Sequence, residues 1–257
     1  AISGVGQQHG TVYWAQGSSK ILRTLDEKQT MAKQMEKCFT VKLSPTWQDK
    51  STTQLCQALE ASVNGAQNLA NLTGSRAYER FSASQMIKVS FAKPKVWNMT
   101  SRISCVSSFG ATLFINSIAP LDYGDASGMN LLDIHSLQWI RSCCEFVGKK
   151  CEGKLGEPVS GYEKIGDVNS FMKKKFGFSD QCMVVAWTGD NLNCFAVRPA
   201  QLGGACISLG TSDTVFGTVK NPRPSGESGH IFCSPLTTGT FTALVCFSVG
   251  IVDKSSS

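Results

Sequence analysis

The sequence predicts an α/β fold, because short apolar segments alternate along the chain with amphipathic segments at helical spacing. The clearest strand is residues 181–188, Gln-Cys-Met-Val-Val-Ala-Trp-Thr, whose unbroken apolar character is typical of a parallel strand buried on both faces. Of the 257 residues, 42% are hydrophobic and 17% are charged, which is enough apolar material for a sizeable core. The composition therefore excludes disorder over most of the chain.

The first hundred residues contain one strand and three predicted helices. The chain opens on the end of a strand that runs into a glycine turn at 4–10. A charged amphipathic segment predicts a helix over 24–38, and the hydroxyls at 51–53 predict the start of a second helix that continues to residue 60. A third helix is predicted from Arg76 to about residue 86, which would put Arg76 and Arg80 on one face.

The remainder of the chain alternates polar turns with strands. Residues 122–128 form a turn-forming cluster, and 148–166 is predicted to be a surface connection rich in Gly, Lys and Glu. After the strand at 181–188, residues 205–219 have the pattern of two strands joined by a glycine-containing turn, which predicts a β-hairpin. A boundary between two lobes is expected near 198–204.

Composition also excludes several classes of protein. The longest apolar runs are far shorter than the ~20 residues that cross a bilayer, so we expect no membrane span. The net charge of +6 arises in residues 1–100, with 12 basic and 6 acidic side chains, but no aromatic pattern or finger spacing of a nucleic-acid-binding module accompanies it. Nucleic acid is therefore not an expected partner.

The eleven cysteines indicate a reduced, cytoplasmic protein. Their number is odd, their spacing is irregular, no C-x-x-C occurs, and several lie in apolar runs where a thiol packs as a small hydrophobic group. With three histidines in the chain, the cysteines do not match the ligand spacing of a metal site. No metal ligands are predicted.

Asp190 is the first candidate for chemistry. It follows the buried strand, and the carboxyl ends of strands are where α/β proteins place their functional groups. Partial burial in a cleft would suit the carboxylate for accepting a proton from a hydroxyl, as a general base does. The same residue, followed by Asn191, could equally begin a helix as an N-cap. Residue type alone leaves both interpretations open.

Three further features are candidates for ligand binding. The turn Gly210-Thr211-Ser212 could hold phosphate oxygens with its backbone N–H groups, or be an ordinary hairpin turn. His9 follows a strand on a glycine-flanked turn and could face a cleft, or be satisfied by neighbouring backbone. Arg76 and Arg80 could clamp a ligand, or pair on a helix surface with Glu79 or a more distant acid.

The order of the motifs closely resembles the FGGY family of carbohydrate kinases, in particular its xylulose kinases from animals. The resemblance covers roughly residues 1–247. It rests on Ser-Gly-Val-Gly-Gln-Gln-His-Gly at 3–10, Trp-Gln-Asp at 47–49, Leu-Thr-Gly-Ser-Arg-Ala-Tyr-Glu-Arg-Phe at 72–81, Asp-Tyr-Gly-Asp-Ala-Ser-Gly-Met-Asn-Leu-Leu at 122–132, Thr-Gly-Asp-Asn at 188–191 and Ser-Leu-Gly-Thr-Ser-Asp-Thr at 208–214.

The resemblance implies an actin-like (ribonuclease H-like) fold of two lobes around a cleft. Residues 1–200 would form the sugar-binding lobe without its first strands and first phosphate hairpin, and residues 201–257 would begin an incomplete ATP-binding lobe. We accordingly expect a chain truncated at both ends. As an isolated fragment it would bind ATP negligibly and be inactive, because both phosphate hairpins are needed for transfer.

The implied reaction is ATP-dependent phosphorylation of D-xylulose to D-xylulose 5-phosphate in the cytoplasm. By resemblance, Asp190 is the general base, and His9, Arg80, Asn191 and Asp190 itself bind the sugar. Gly210, Thr211 and Ser212 match the second phosphate hairpin. ATP and Mg²⁺ are the implied cofactors, and both need parts of the family fold that this chain lacks. The sequence carries no indication of the oligomeric state.

One segment departs from the family pattern. Where the family has small residues beneath the site, this chain has Leu192, Cys194, Phe195 and Val197, and their bulk is expected to shift Asp190. The alternative to an enzyme is therefore a non-catalytic truncated product, either an isoform or a gene-model fragment, that at most binds sugar or a partner.

Overall fold

The computed structural model of the chain describes residues 1–196, 202–208 and 213–247. Helices and strands are mixed along this part of the chain, with a run of helices over residues 18–99 and a run of strands over residues 205–247. The strands are β1 Val5–Gly6, β2 Thr11–Ala15, β3 Thr100–Cys105, β4 Lys164–Asp167, β5 Met183–Val185, β6 Thr188–Gly189, β7 Ala205–Ser208, β8 Asp213–Val219, β9 His230–Cys233 and β10 Phe241–Phe247. The helices are α1 Ser18–Arg23, α2 Met31–Gln34, α3 Thr53–Ser62, α4 Ala66–Thr73, α5 Ser82–Ala92, α6 Pro94–Met99, α7 Val106–Thr112, α8 Tyr123–Ser127, α9 Arg141–Val147, α10 Cys151–Leu155, α11 Ser170–Phe176 and α12 Asp190–Ala196.

The predicted strand at 181–188 is divided in two. Its first part, β5, pairs antiparallel with β4, and Met183 within it is 39% exposed, so burial on both faces was wrong for this part. Its end, β6, pairs in parallel with β1. Between them the Trp187 ring fills the space beside Gly4 and Gly110, where an added Cβ would lie 2.8 Å and 2.4 Å from the ring.

The C-terminal strands form a separate antiparallel sheet in the order β7-β8-β10-β9. The strands of the predicted hairpin at 205–219 are confirmed, with Ser208 opposite Thr214 as the last described pair before the turn. The turn residues Gly210, Thr211 and Ser212 lie outside the described residues. Aromatic and aliphatic side chains attach this sheet to the rest of the molecule, in a buried cluster of Phe81, Leu192, Phe216, Phe232 and Leu244.

The helix predicted over 24–38 was wrong in its extent. Residues 24–30 form a loop between α1 and α2, because Gln34 Oε1 accepts from the Asp26 backbone N–H at 2.7 Å and ties the loop to the helix. The Thr30 side chain caps the start of α2 by accepting from the Lys33 backbone N–H. A 3-10 turn at Glu36–Cys38 follows.

The helix predicted from Arg76 was wrong as well, since α5 begins at Ser82. Gly74 ends α4 in the left-handed conformation, with φ of +83°, and its carbonyl accepts from the Ile231 backbone N–H at 2.9 Å. This contact holds the segment 74–81 against β9 and out of a helix. By contrast, the predicted helix after residue 51 is confirmed as α3.

Two general features of the described residues bear on function. No helix in this part of the chain combines the length and apolar character that crossing a membrane requires. All ten cysteines whose side chains are described are free thiols, and seven of them are buried. The division into lobes near 198–204 stays a prediction, because part of that segment lies outside the described residues.

Candidate functional site

A cleft of about 380 Å³ opens between the β1–β6 pair and the C-terminal sheet. The structure brings together here the four side chains singled out from the sequence as sugar-binding, His9, Arg80, Asp190 and Asn191, although they are up to 182 positions apart. The other lining residues are Gln7, Gln8, Trp47, Lys50, Thr214, His230, Phe232, Leu244 and Cys246.

The parallel pairing of β1 with β6 positions the acidic side of the cleft. Gly6 lies opposite Gly189, so the turn after β1 comes beside the first residues of α12. The Gln8 backbone N–H donates to Asp190 Oδ1 at 3.3 Å, and the Asn191 side-chain amide donates to Gln8 Oε1 at 3.0 Å. Sequence reasoning missed Gln8, and the doubled glutamine before His9 was the available signal.

His9 is held in a buried position on this turn. Its backbone is left-handed, with φ of +71°, and its side chain is 9% exposed. The imidazole stacks on the Phe81 ring with centroids 4.3 Å apart. Burial, followed by the positive charge of Arg80 and by His230, lowers the pKa of His9 well below its ordinary value. His9 is therefore a neutral ring with one donor and one acceptor.

Arg76 and Arg80, which were predicted to share one face of a helix, lie apart in the structure. Arg76 forms an ion pair with Glu60 at 3.3 Å and does not line the cleft. Of the two kinds of partner considered from the sequence, the structure therefore shows the more distant acid. Arg80 lies over the Tyr78 ring, with its guanidinium carbon 4.8 Å from the ring centre, and its Nη2 is 2.7 Å from His230 Nε2. Burial lowers the pKa of Arg80 from its ordinary value. His230 was a second residue that sequence reasoning missed.

Asp190 begins α12 and its side chain is exposed to the open cleft. The next apolar residue, Leu192, is fully buried against the Phe81 cluster on the other side of the helix start. The side chains of Cys194 and Phe195 and all of Val197 lie outside the described part of the chain. The expected displacement of Asp190 by these residues stays a prediction.

Two buried carboxyl groups lie behind Asp190. The Asp122 side chain caps α8, and Ser107 donates to Asp125 Oδ2. Burial raises the pKa of Asp122 to about 6, and burial together with the neighbouring charges of Asp122 and Asp190 raises the pKa of Asp125 well above its ordinary value. Burial, followed by the charges of Asp125 and Asp122, raises the pKa of the Cys105 thiol well above its ordinary value. A proton on Asp125 would remove one negative charge from behind the cleft.

Substitution Asp125→Asn is expected to stabilise the protein increasingly as pH rises. Because the pKa of Asp125 is raised in the folded state, its carboxyl group contributes its full stabilisation only below about pH 4. As pH rises towards the folded-state pKa, that contribution to the free energy of unfolding falls by about 1.4 kcal/mol per pH unit. Asparagine keeps the acceptor for Ser107 and does not titrate. Urea unfolding at pH 5 and pH 8 checks this, with the exposed Asp180→Asn as control. Parallel stability profiles for Asp125→Asn and the unsubstituted chain would contradict it.

The described residues do not by themselves fit a metal site. Within 1–196, 202–208 and 213–247, no three or more His, Cys, Asp or Glu side chains come together in a way that could hold a metal ion. At the cleft, Asp190 is the carboxylate that lines the cavity, and the amide of Asn191 lies next to it. What this arrangement can do is hydrogen-bond a polyhydroxyl ligand and accept a proton from it.

Comparison with known proteins identifies the family of the chain. Residues 24–195 match the N-terminal domain of the FGGY family of carbohydrate kinases. The chain is 44% identical over 250 residues to xylulose kinase from Rattus norvegicus, covering 97% of this chain and 46% of the relative. It is 44% identical over 248 residues to xylulose kinase 2 from Arabidopsis thaliana, covering 96% of this chain and 44% of the relative. The chain thus spans about half the length of the curated relatives it matches.

Solved structures establish the fold. The ligand-bound xylulose kinase from Lactobacillus acidophilus superposes with a TM-score of 0.76 at 15% identity, covering 95% of this chain and 45% of that one. The xylulose kinase from Rhodospirillum rubrum gives a TM-score of 0.78 at 11% identity, with 95% and 45% covered. These neighbours have the actin-like fold of sugar kinases, and the described residues correspond mainly to its first lobe.

Proposed function

The chain belongs to the FGGY family of carbohydrate kinases, and we propose that it forms the sugar cleft of an enzyme that transfers the γ-phosphoryl group of ATP to the 5-hydroxyl of D-xylulose. The observation that carries the proposal is the convergence of His9, Arg80, Asp190 and Asn191 on one cleft. The free thiols of the described cysteines support the cytoplasm as the compartment.

Asp190 acts as the general base in this proposal. Its carboxylate is exposed to the cleft, and the Gln8 N–H contact to Oδ1 restrains its direction. A carboxylate so placed accepts the proton of the sugar hydroxyl as that oxygen attacks phosphorus. Phosphoryl transfer depends mainly on positioning and charge stabilisation, so a fixed base and a fixed hydroxyl are what this lobe must provide.

The remaining polar groups bind the sugar. Arg80 supplies donors, the neutral His9 ring supplies a donor and an acceptor, and Asn191 supplies both through its amide. The Gln8 side chain orients the Asn191 amide, since it accepts one of the amide hydrogens at 3.0 Å. A ketose with several hydroxyls matches this mixture of donors and acceptors. These roles agree with the position of all four side chains in the lining of the cleft.

ATP is proposed to approach from the C-terminal sheet. Gly210, Thr211 and Ser212 join β7 to β8, and Thr214, which pairs with Ser208 at that end of the hairpin, lines the cleft. We assign those three residues to the phosphates. Mg²⁺ would enter with the nucleotide and offset phosphate charge, as in other kinases.

Initial rates of ADP release by the complete gene product test the proposal. D-xylulose should be phosphorylated with a kcat/KM at least tenfold above that for D-ribulose or D-fructose. 5-Deoxy-D-xylulose, which lacks the accepting hydroxyl, should inhibit competitively and release no ADP. A preference for another sugar, or equal turnover of the 5-deoxy sugar, would contradict the proposed substrate.

A further inference from the structure

His230 is buried at the start of β9, with 5% of its surface exposed, and both ring nitrogens have partners. Nε2 lies 2.7 Å from Arg80 Nη2, and Nδ1 lies 3.2 Å from Ser75 Oγ. Because a guanidinium has donors and no acceptor, Nε2 must accept from Arg80. The hydrogen of the neutral ring is therefore on Nδ1, from which it is donated to Ser75.

We propose that His230 is a positioning residue that sets the direction of the Arg80 guanidinium in the sugar cleft. The role rests on the proposed function, because Arg80 is taken there as a sugar ligand. His230 comes from the C-terminal sheet, whereas Arg80 and Ser75 belong to the segment before α5. The imidazole thus connects the two sides of the cleft through a sugar-binding side chain.

A neutral acceptor has a specific advantage at this position. A carboxylate would form a bidentate ion pair with the Arg80 guanidinium and neutralise its charge. Such a pair would compete with a hydroxylated ligand for the donors of Arg80. Imidazole occupies one N–H and leaves the other donors of Arg80 for the ligand. Burial and the charge of Arg80 lower the pKa of His230 to about 3, so the ring remains neutral at physiological pH.

Aromatic neighbours restrain the ring. Tyr78 meets His230 edge to face, with centroids 4.6 Å apart, and the Phe81 and Phe232 rings lie at 5.2 Å and 5.6 Å. The next residue, Ile231, is bonded through its backbone N–H to the Gly74 carbonyl. The imidazole cannot swing away from Arg80 without disturbing these contacts.

Two substitutions in the complete gene product separate positioning from packing. His230→Phe keeps the ring and removes both nitrogens, and it should raise KM for D-xylulose at least tenfold with kcat and KM for ATP changed less than threefold. His230→Gln carries an amide oxygen that reaches the place of Nε2, and it should keep KM within threefold of the unsubstituted value. His135 is exposed, so His135→Phe is the matched control. It should change neither kcat nor the KM values for D-xylulose and ATP.

An unchanged KM in a folded His230→Phe protein would overturn the proposal, as would equal impairment by Phe and Gln. If His230→Phe does not fold, His230→Asn replaces it, because its shorter amide does not reach Arg80 and should raise KM as Phe does. Equal KM values for Asn and Gln would then overturn the proposal.

A second readout does not depend on turnover. Nitrogen-15 NMR of the histidine rings in this chain should show His230 neutral at pH 7 with its hydrogen on Nδ1. A cationic ring, or a hydrogen on Nε2, would overturn the positioning role whether or not D-xylulose is the substrate. Failure of the unsubstituted gene product to phosphorylate D-xylulose, with the NMR result as expected, would instead count against the proposed function.

Discussion

Replacement of Asp190 by alanine in the complete gene product should lower kcat for D-xylulose by about 10³-fold or more, since a general base contributes roughly 10² to 10⁴ in rate. Binding of the sugar should weaken but persist, because His9, Arg80 and Asn191 still line the cleft. Stopped-flow measurement of ADP release gives kcat, and calorimetric titration of D-xylulose gives the binding constant.

Two controls isolate the role of this carboxylate. Asp190→Asn keeps the size of the side chain and an acceptor for the Gln8 N–H, so it should lose kcat as Asp190→Ala does while binding sugar more tightly than the alanine variant. Asp180→Ala removes an acid whose side chain is 95% exposed and should retain full activity. Turnover by Asp190→Ala at the unsubstituted rate would show that another group accepts the proton.

Gly74→Ala should lower the free energy of unfolding by about 3 kcal/mol or more. Its backbone is left-handed, with φ of +83°, where a Cβ costs roughly 1–2 kcal/mol. An added Cβ would also lie 2.0 Å from the Ile231 carbonyl oxygen, and relieving such overpacking costs about 1–3 kcal/mol more. The hydrogen bond from the Ile231 N–H to the Gly74 carbonyl holds the segment 74–81, which includes Arg80, against β9. We therefore expect KM for the sugar to rise together with the loss of stability.

Gly17→Ala is the matched control for that substitution. Gly17 has a similar φ of +86° with no atom within 4 Å of the added Cβ, so it should cost only the backbone strain, about 1–2 kcal/mol. Urea unfolding of the three proteins gives the comparison. Equal losses at Gly17 and Gly74 would show that β9 does not pack against Gly74 as described.

The sequence predicted the α/β class, α3 and the β7–β8 strands, because each depends on local pattern. It failed where distant contacts override local preference. Residues 76–81 have the composition of a helix, but they form irregular backbone and a turn, and the Ile231 backbone N–H donates to the Gly74 carbonyl just before them. Gln34 similarly closes a loop over residues expected to be helical.

The site was predicted only in part, because some of its residues are recognisable from local sequence and others depend on distant contacts. Asp190 could be found because it follows a recognisable strand, and His9 and Arg80 could be found through the order of the family motifs. His230 and Asp125 were missed, because their significance depends on partners elsewhere in the chain. His230 and Arg80 are 150 positions apart. Composition and spacing carry no signal for such a pair.

In the proposed function, this cleft directs the 5-hydroxyl of a ketopentose towards ATP. Phosphorus-31 NMR of the sugar phosphate that the complete gene product makes from ATP and D-xylulose locates the transferred group. We expect a phosphomonoester whose proton coupling places phosphate on the C5 oxygen, and we expect its loss with Asp190→Ala. Phosphate on another oxygen, or no sugar phosphate from the unsubstituted protein, would show that the cleft does not direct the 5-hydroxyl.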